Sequence, residues 1–168
     1  MGRAGNHGPD DGGALLIAER LAGTLPPYRV RLDRDDISRF ADAIGAPEAV
    51  HRNAGTARGA GFRDVVAPPT YLFGLDLDHG AVFGLLARAG ADPAACLHVE
   101  QEFSYLSPAC AGDTLVFSPR FEVAPLPDRG TTQFIARHTA VAQTDGTPVA
   151  VLRQLVAVRT GSESGRVA

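Results

Sequence analysis

In the run Gly45-Ala46-Pro47-Glu48-Ala49-Val50-His51-Arg52-Asn53 a carboxylate, an imidazole and an amide stand close together. Imidazole titrates near neutral pH, so His51 suits proton transfer, and Glu48 can reach the same pocket as a second acid or base. Asn53 is placed to fix this loop through an Asx-type bond. Asp76 and His79 fall three residues apart, a spacing that brings side chains together on one helix face. The alternative, and the expectation here, is that the helix ends near Leu75 and that Asp76, Asp78 and His79 meet water. His98 and Glu100 fall on one face of a strand-like run, with Gln101 and Phe103 on the other. His138, amid Phe134, Ile135 and Arg137, is expected on the outer face of its strand. Asp113 behind Gly112 reads as a turn residue. There is no Gly-x-Gly-x-x-Gly, Walker loop, His-Glu-x-x-His or Gly-x-Ser-x-Gly run. Nucleotide cofactors, zinc and serine-hydrolase chemistry therefore find no support, and no cofactor or metal is expected.

The chain has 168 residues, enough for one domain with a real core. Its formal net charge of −3 points to neither nucleic acid nor an anionic membrane surface as a partner. Cys96 and Cys110 are too few for a disulfide framework and lack metal-ligand spacing; buried thiols in a reducing compartment are expected. Residues 1–13 are polar and Gly/Asp-rich, without the apolar stretch of a signal peptide. No apolar run approaches the roughly 20 residues that cross a bilayer. The expectation is a soluble, cytoplasmic protein. Residues 1–13 and 161–168 have the composition of disordered tails around one domain at 14–160.

The elements follow from periodicity. Ala14 to Ala22 carries a short helical pattern that ends at Gly23 and Pro26-Pro27. Tyr28 to Leu32 alternates like a strand. Asp33 or Asp35 caps a helix whose buried stripe is Ile37, Phe40, Ala41 and Ile44, with Gly45 at the glycine position past its end. A short helical piece is expected near Ala54 to Gly59. Pro68 and Pro69 open an apolar helix from Thr70 to Leu86, interrupted near Gly80. Four strands follow, at Leu97–Leu106, Thr114–Ala124, Thr132–Gln143 and Pro148–Arg159, with Asp145-Gly146 as a hairpin signal. One helix followed by long antiparallel strands is an α+β pattern, a curved sheet wrapped around one helix.

Several of these runs, in order, resemble the MaoC-like hydratases and dehydratases. Their usual active-site run is Gly-Asp-x-Asn-Pro-x-His. This chain keeps Gly45 and His51 at that spacing, with Ala46 where the aspartate stands and Glu48 where the asparagine stands. Phe40-Ala41-Asp42-Ala43-Ile44-Gly45, the segment from Ala57 through Asp64-Val65-Val66-Ala67-Pro68-Pro69-Thr70, and His98 through Pro108 and Gly112-Asp113-Thr114-Leu115 are similar to further family segments. The resemblance covers about Gly23 to Arg159 and is strongest to the small subunits of two-subunit (3R)-hydroxyacyl-thioester dehydratases.

That resemblance implies a single hot-dog fold and water addition or removal across the 2,3-bond of an acyl thioester carried by CoA or an acyl carrier protein. It implies a dimer, with itself or with another hot-dog subunit, because a lone sheet leaves an unpaired edge. It makes His51 the acid–base residue, with Glu48 as a candidate stand-in acid. Around the central helix it makes Pro69, Thr70 and Tyr71 the substrate-binding start, where Thr70 and Tyr71 would offer N–H donors to the thioester oxygen. Asn53 and His98 join that substrate-binding set. Three explanations of Ala46 stay open: a partner subunit supplies the carboxylate, another acid replaces it, or the site serves a different thioester reaction or binding alone. A thioesterase would draw its carboxylate from Asp64 or Glu48.

Overall fold

Alternating apolar residues in the second half of the chain build the sheet, and an apolar run before it builds the helix that the sheet covers. The computed structural model describes residues 17, 20, 21, 23–80, 82–124 and 132–159. The strands are β1 (Gly23–Thr24), β2 (Tyr28–Arg31), β3 (Cys96–Tyr105), β4 (Thr114–Val123), β5 (Thr132–Gln143) and β6 (Pro148–Arg159). The helices are α1 (Arg34–Ala43), α2 (Ala54–Gly59), α3 (Tyr71–Gly80) and α4 (Val82–Arg88). The expected tails at 1–13 and 161–168 lie outside the described residues. Of the expected helix at 14–22 only Ile17, Arg20 and Leu21 are described, each helical.

The sheet runs β1-β4-β5-β6-β3, with β2 also on β4, and every pairing is antiparallel. β1 and β2 are two halves of one strand, parted by Leu25-Pro26-Pro27. Pro119 of β4 stands opposite that gap: its carbonyl accepts from Leu25 N–H at 3.0 Å. The N–H and C=O of one strand residue point to the same side, so the donor that proline lacks faces the interruption, where no ladder bond is lost. Between β5 and β6 the Asp145-Gly146 turn forms as its chemistry predicts. Gly146 takes φ +90°, and Asp145 accepts from Thr147 N–H at 2.9 Å.

α3 and α4 lie on the inner face. Leu72 packs with Ile37, Val65, Leu115, Phe117 and Leu152, and Val82 and Leu86 pack with Phe121, Ile135, Val156 and Val158. This is the hot-dog arrangement, and most element boundaries fall where periodicity puts them. The helix starts later than expected. Its first helical bond, Gly74 N–H to Thr70 O at 3.3 Å, makes Thr70 the boundary residue. Pro68 and Pro69 instead form a turn ahead of it, closed by Tyr71 N–H on Pro68 O at 2.9 Å. Asp33 is the α1 cap, accepting from Asp35 N–H and Asp36 N–H. Gly45 at φ +67° ends that helix in the left-handed region. Ile37 and Ala41 of its stripe are buried, whereas Ile44 is exposed.

Asp76 overturns an expectation. The helix continues to Gly80, and Asp76 is only 2% exposed. Its carboxylate accepts from Nη2 of Arg137 at 2.8 Å, from Nη1 of the same guanidinium, from Thr139 Oγ1 at 3.0 Å and from the Tyr28 hydroxyl. Burial, reinforced by Asp76, pushes the Tyr28 phenol well above its ordinary pKa. His79 does not pair with Asp76; it lies in solvent against Leu75 O. Arg137 is buried, and only its neighbour His138 turns outward, to Glu122 at 2.7 Å.

A second correction concerns β3. The register shifts between His98, opposite Val156, and Glu100, opposite Leu155. This bulge puts His98 on the inner face with Gln101 and Phe103, against Phe73 of α3 at 5.2 Å, and turns Glu100 outward to Arg153. Simple alternation had paired His98 with Glu100. Cys110 is buried as expected, but Cys96 is only partly so. Among the described residues no helix is long and apolar enough to cross a membrane.

Arg137→Ala leaves a buried carboxylate without its partner and should destabilise the fold by about 3–5 kcal/mol in urea unfolding. The double substitution Asp76→Leu with Arg137→Met should recover most of that loss. Arg34 first, then the Val65 N–H, hold the Asp64 carboxyl down to about 2 from 3.8. A depressed folded pKa means stabilisation that is complete above the unfolded value and lost as pH falls through the folded one. Acid titration should therefore show an unfolding component between pH 3.8 and about 2 that Asp64→Asn removes.

Candidate functional site

His51 closes a single 3₁₀ turn, Ala49–His51, behind α1. Ser38 of α1 donates its hydroxyl to His51 O at 3.4 Å. The turn is then locked to the segment that leads to α3. Val66 N–H donates to Val50 O at 3.1 Å, and His51 Nδ1 lies 2.7 Å from Val66 O. Val65–Ala67 is held on its other side by Ala67 N–H on Ala109 O at 2.9 Å and Ala111 N–H on Val65 O at 2.8 Å. Arg34 and Arg58 both clamp Asp64 immediately before it, at 2.8 and 3.0 Å. A histidine and its acceptor, fifteen residues apart in sequence, are thus fixed by three chain segments.

This geometry sets the tautomer. A carbonyl only accepts, so Nδ1 carries the proton and the neutral ring keeps its lone pair on Nε2. The ring is buried and forms part of the wall of an open pocket of about 590 Å³. Ile44, Ala46, Glu48, Val66–Pro69 and Tyr105–Ala109 complete the wall, which is largely apolar. Glu48 Oε2 lies 3.9 Å from His51 Nε2, beyond direct hydrogen-bond distance. The Glu48 side chain is 60% exposed and approaches the ring from the solvent side. Ala46 presents only a methyl group.

Of the expected site residues, Glu48, His51 and Pro69 come together. Four do not line the pocket. Asn53 caps α2, accepting from Thr56 N–H at 2.9 Å. Tyr71 is buried against the Phe40 ring at 5.2 Å, and its N–H is used by Pro68 O. Thr70 is exposed at the helix start. His98 meets Phe73 and bonds Glu100 O at 3.0 Å. Asp64 is also absent from the wall, its oxygens taken by two arginines and Val65 N–H. Asp113 is a turn residue as expected, accepting from Cys110 N–H at 2.9 Å, and it also anchors Arg63. Among the described residues no cluster of three or more His, Cys, Asp or Glu side chains is arranged to hold a metal ion.

Sequence reading missed Tyr105, whose hydroxyl donates to Pro69 O inside the pocket. The signal was slight: an aromatic at the end of a strand and before Pro108. Ile44, Tyr105 and Leu106 also stay partly in solvent, Leu106 at 65%, so one side of the pocket is uncovered.

The family model described as "FAS1-like, dehydratase domain region" matches residues 22–152. A UPF0336 protein of Clavibacter michiganensis is 33% identical over 142 residues, covering 83% of this chain and 91% of the relative. One from Streptomyces avermitilis is 33% identical over 96 residues, which span 57% of this chain and 63% of the relative's length. Among solved structures, a chain of the HadBC (3R-hydroxyacyl-ACP dehydratase) complex from Mycobacterium tuberculosis superposes with TM-score 0.66 at 18% identity, over 81% of this chain and 96% of that one. A MaoC-like dehydratase from Rhodospirillum rubrum gives TM-score 0.63 at 18% identity, over 84% and 94%. At those identities the superpositions speak for the hot-dog fold; the sequence matches speak for descent, and by them the chain belongs to the FAS1-like dehydratase domain region family.

Proposed function

We propose that this chain binds an acyl thioester, on CoA or an acyl carrier protein, in the His51 pocket and takes part in interconverting (3R)-hydroxyacyl and trans-2-enoyl thioesters. One observation carries the proposal: an imidazole whose Nδ1–H is committed to Val66 O, and whose basic Nε2 belongs to an apolar pocket. In dehydration Nε2 takes the Cα proton. The electron pair of that C–H bond becomes the new double bond as the C3–O bond breaks, and the departing oxygen takes a proton and leaves as water. Glu48, 3.9 Å from Nε2, is the carboxyl at hand for that second transfer. The apolar wall suits an acyl chain. Work in the cytoplasm belongs to the same proposal.

Ala46 favours a second reading, an acyl-binding subunit whose partner brings the carboxylate. Either way a partner is proposed. β3 is a sheet edge, and Leu97 (66% exposed) and Val99 (49%) lie bare along it. A second hot-dog chain paired there, a copy or a relative, covers both the edge and the open side of the pocket. Subunits in a complex, as in the HadBC structure, are consistent with that.

Loss of enoyl absorbance from a trans-2-enoyl-CoA, followed with the pure protein and after mixing with a hot-dog chain carrying an Asp/His pair, tests the reaction. His51→Ala is expected to lower kcat/KM by about a hundredfold or more in whichever sample turns over. Turnover unaffected by that substitution removes His51 from the mechanism, and full activity of the pure protein removes the binding-subunit reading. Sedimentation tests the edge: Leu97→Lys with Val99→Lys should convert a dimer to monomer while leaving the circular-dichroism spectrum unchanged.

A further inference from the structure

Removing a Cα proton next to a thioester puts negative charge on the carbonyl oxygen, and a hydrogen-bond donor aimed at that oxygen lowers the barrier. The pocket wall is short of such donors. Outside the strands, the N–H groups of Ile44, Ala46, His51, Val66, Ala67, Leu106 and Ser107 are taken by main-chain carbonyls, which leaves those of Glu48 and Ala109 in the wall and of Thr70 at the helix start beside it. Pro68, Pro69 and Pro108 have none. The N–H of Tyr71 closes the turn onto Pro68. Of the two side-chain hydroxyls in the wall, Ser107 donates to Pro148 O at 2.9 Å, outside the pocket. The Tyr105 hydroxyl donates to Pro69 O, and both groups belong to the wall.

We propose that the Tyr105 hydroxyl is the donor to the substrate's thioester oxygen, turning its proton from Pro69 O to the incoming carbonyl. This rests on the acyl-thioester reading of the pocket and adds a residue that touches the reacting group. The hydroxyl hydrogen reorients about its own C–O bond, so no backbone movement is needed. The Pro69 carbonyl holds the phenol ready in the meantime. Burial pushes the phenol up to about 12, so it keeps its proton and remains a donor at neutral pH. The donor sits on the last residue of β3, next to the edge where a partner is proposed.

The test needs no turnover. Cinnamoyl-CoA absorbs at longer wavelength when its carbonyl is polarised, so a titration reads both affinity and hydrogen bonding. The wild-type protein should bind it with a red shift. Tyr105→Phe, checked for fold by its thermal melt, should still bind, about tenfold more weakly at most, and lose the larger part of the shift. Ser107→Ala should keep the shift. An undiminished shift in Tyr105→Phe, or wild-type binding with no shift, overturns the role of Tyr105 and leaves the acyl-thioester reading standing. No binding by the wild-type protein overturns both.

Discussion

A carboxylate on the central helix and a guanidinium on the sheet meet where little water reaches, and that contact sets how helix and sheet sit together. Asp76 is met by both Nη atoms of Arg137, by Thr139 and by Tyr28. Hydrophobic packing alone would let an apolar helix slide or rotate on an apolar sheet at little cost. Four directed bonds to one residue allow a single height and a single angle, and removing any donor leaves charge in a poor solvent. β2, α3 and β5 are all tied at this point.

The pocket is the consequence at the other end of α3. With the helix held, its leading turn at Pro68–Thr70 has a defined place, and so do the residues just before it. Val66 then becomes a fixed post, held by Val50 and Cys110 on either side, from which its carbonyl holds the His51 ring. The ring is steered by backbone rather than by a buried carboxylate. That arrangement selects a tautomer without adding charge to the pocket. The neighbouring carboxylate, Glu48, reaches in from solvent, so the pocket sets an imidazole and a carboxylate of unequal burial side by side.

An uncovered edge and an uncovered pocket side lie on the same strand. β3 carries Leu97 and Val99 at one end and Tyr105 at the other, with Leu106 just beyond, all partly in water. In a folded domain such groups usually meet something. A second hot-dog chain paired at β3, as proposed above, would complete the sheet and close the open side of the pocket together.

Local chemistry made much of this legible from residue order alone. Asp33 as a helix cap, Gly45 past a helix end, Asp145-Gly146 in a hairpin and strands of period two all act over a few residues, and each stands where the sequence puts it. The resemblance to the MaoC-like run, through Gly45 and His51, pointed to a histidine that does line the pocket. What sequence could not reach were meetings between distant segments. Asp76 looked like a surface acid because Arg137 lies sixty-one residues away. His98 looked like the companion of Glu100 because a bulge cannot be seen in an alternating run. Asn53, Thr70 and Tyr71 stand near the pocket in sequence but are used in caps and turns, while Tyr105, thirty-six residues from Pro69, is brought to it by the strand. Propensity and turn chemistry are properties of neighbours, whereas burial of a charge, the face of a strand and the lining of a pocket are decided by which surfaces the fold presses together.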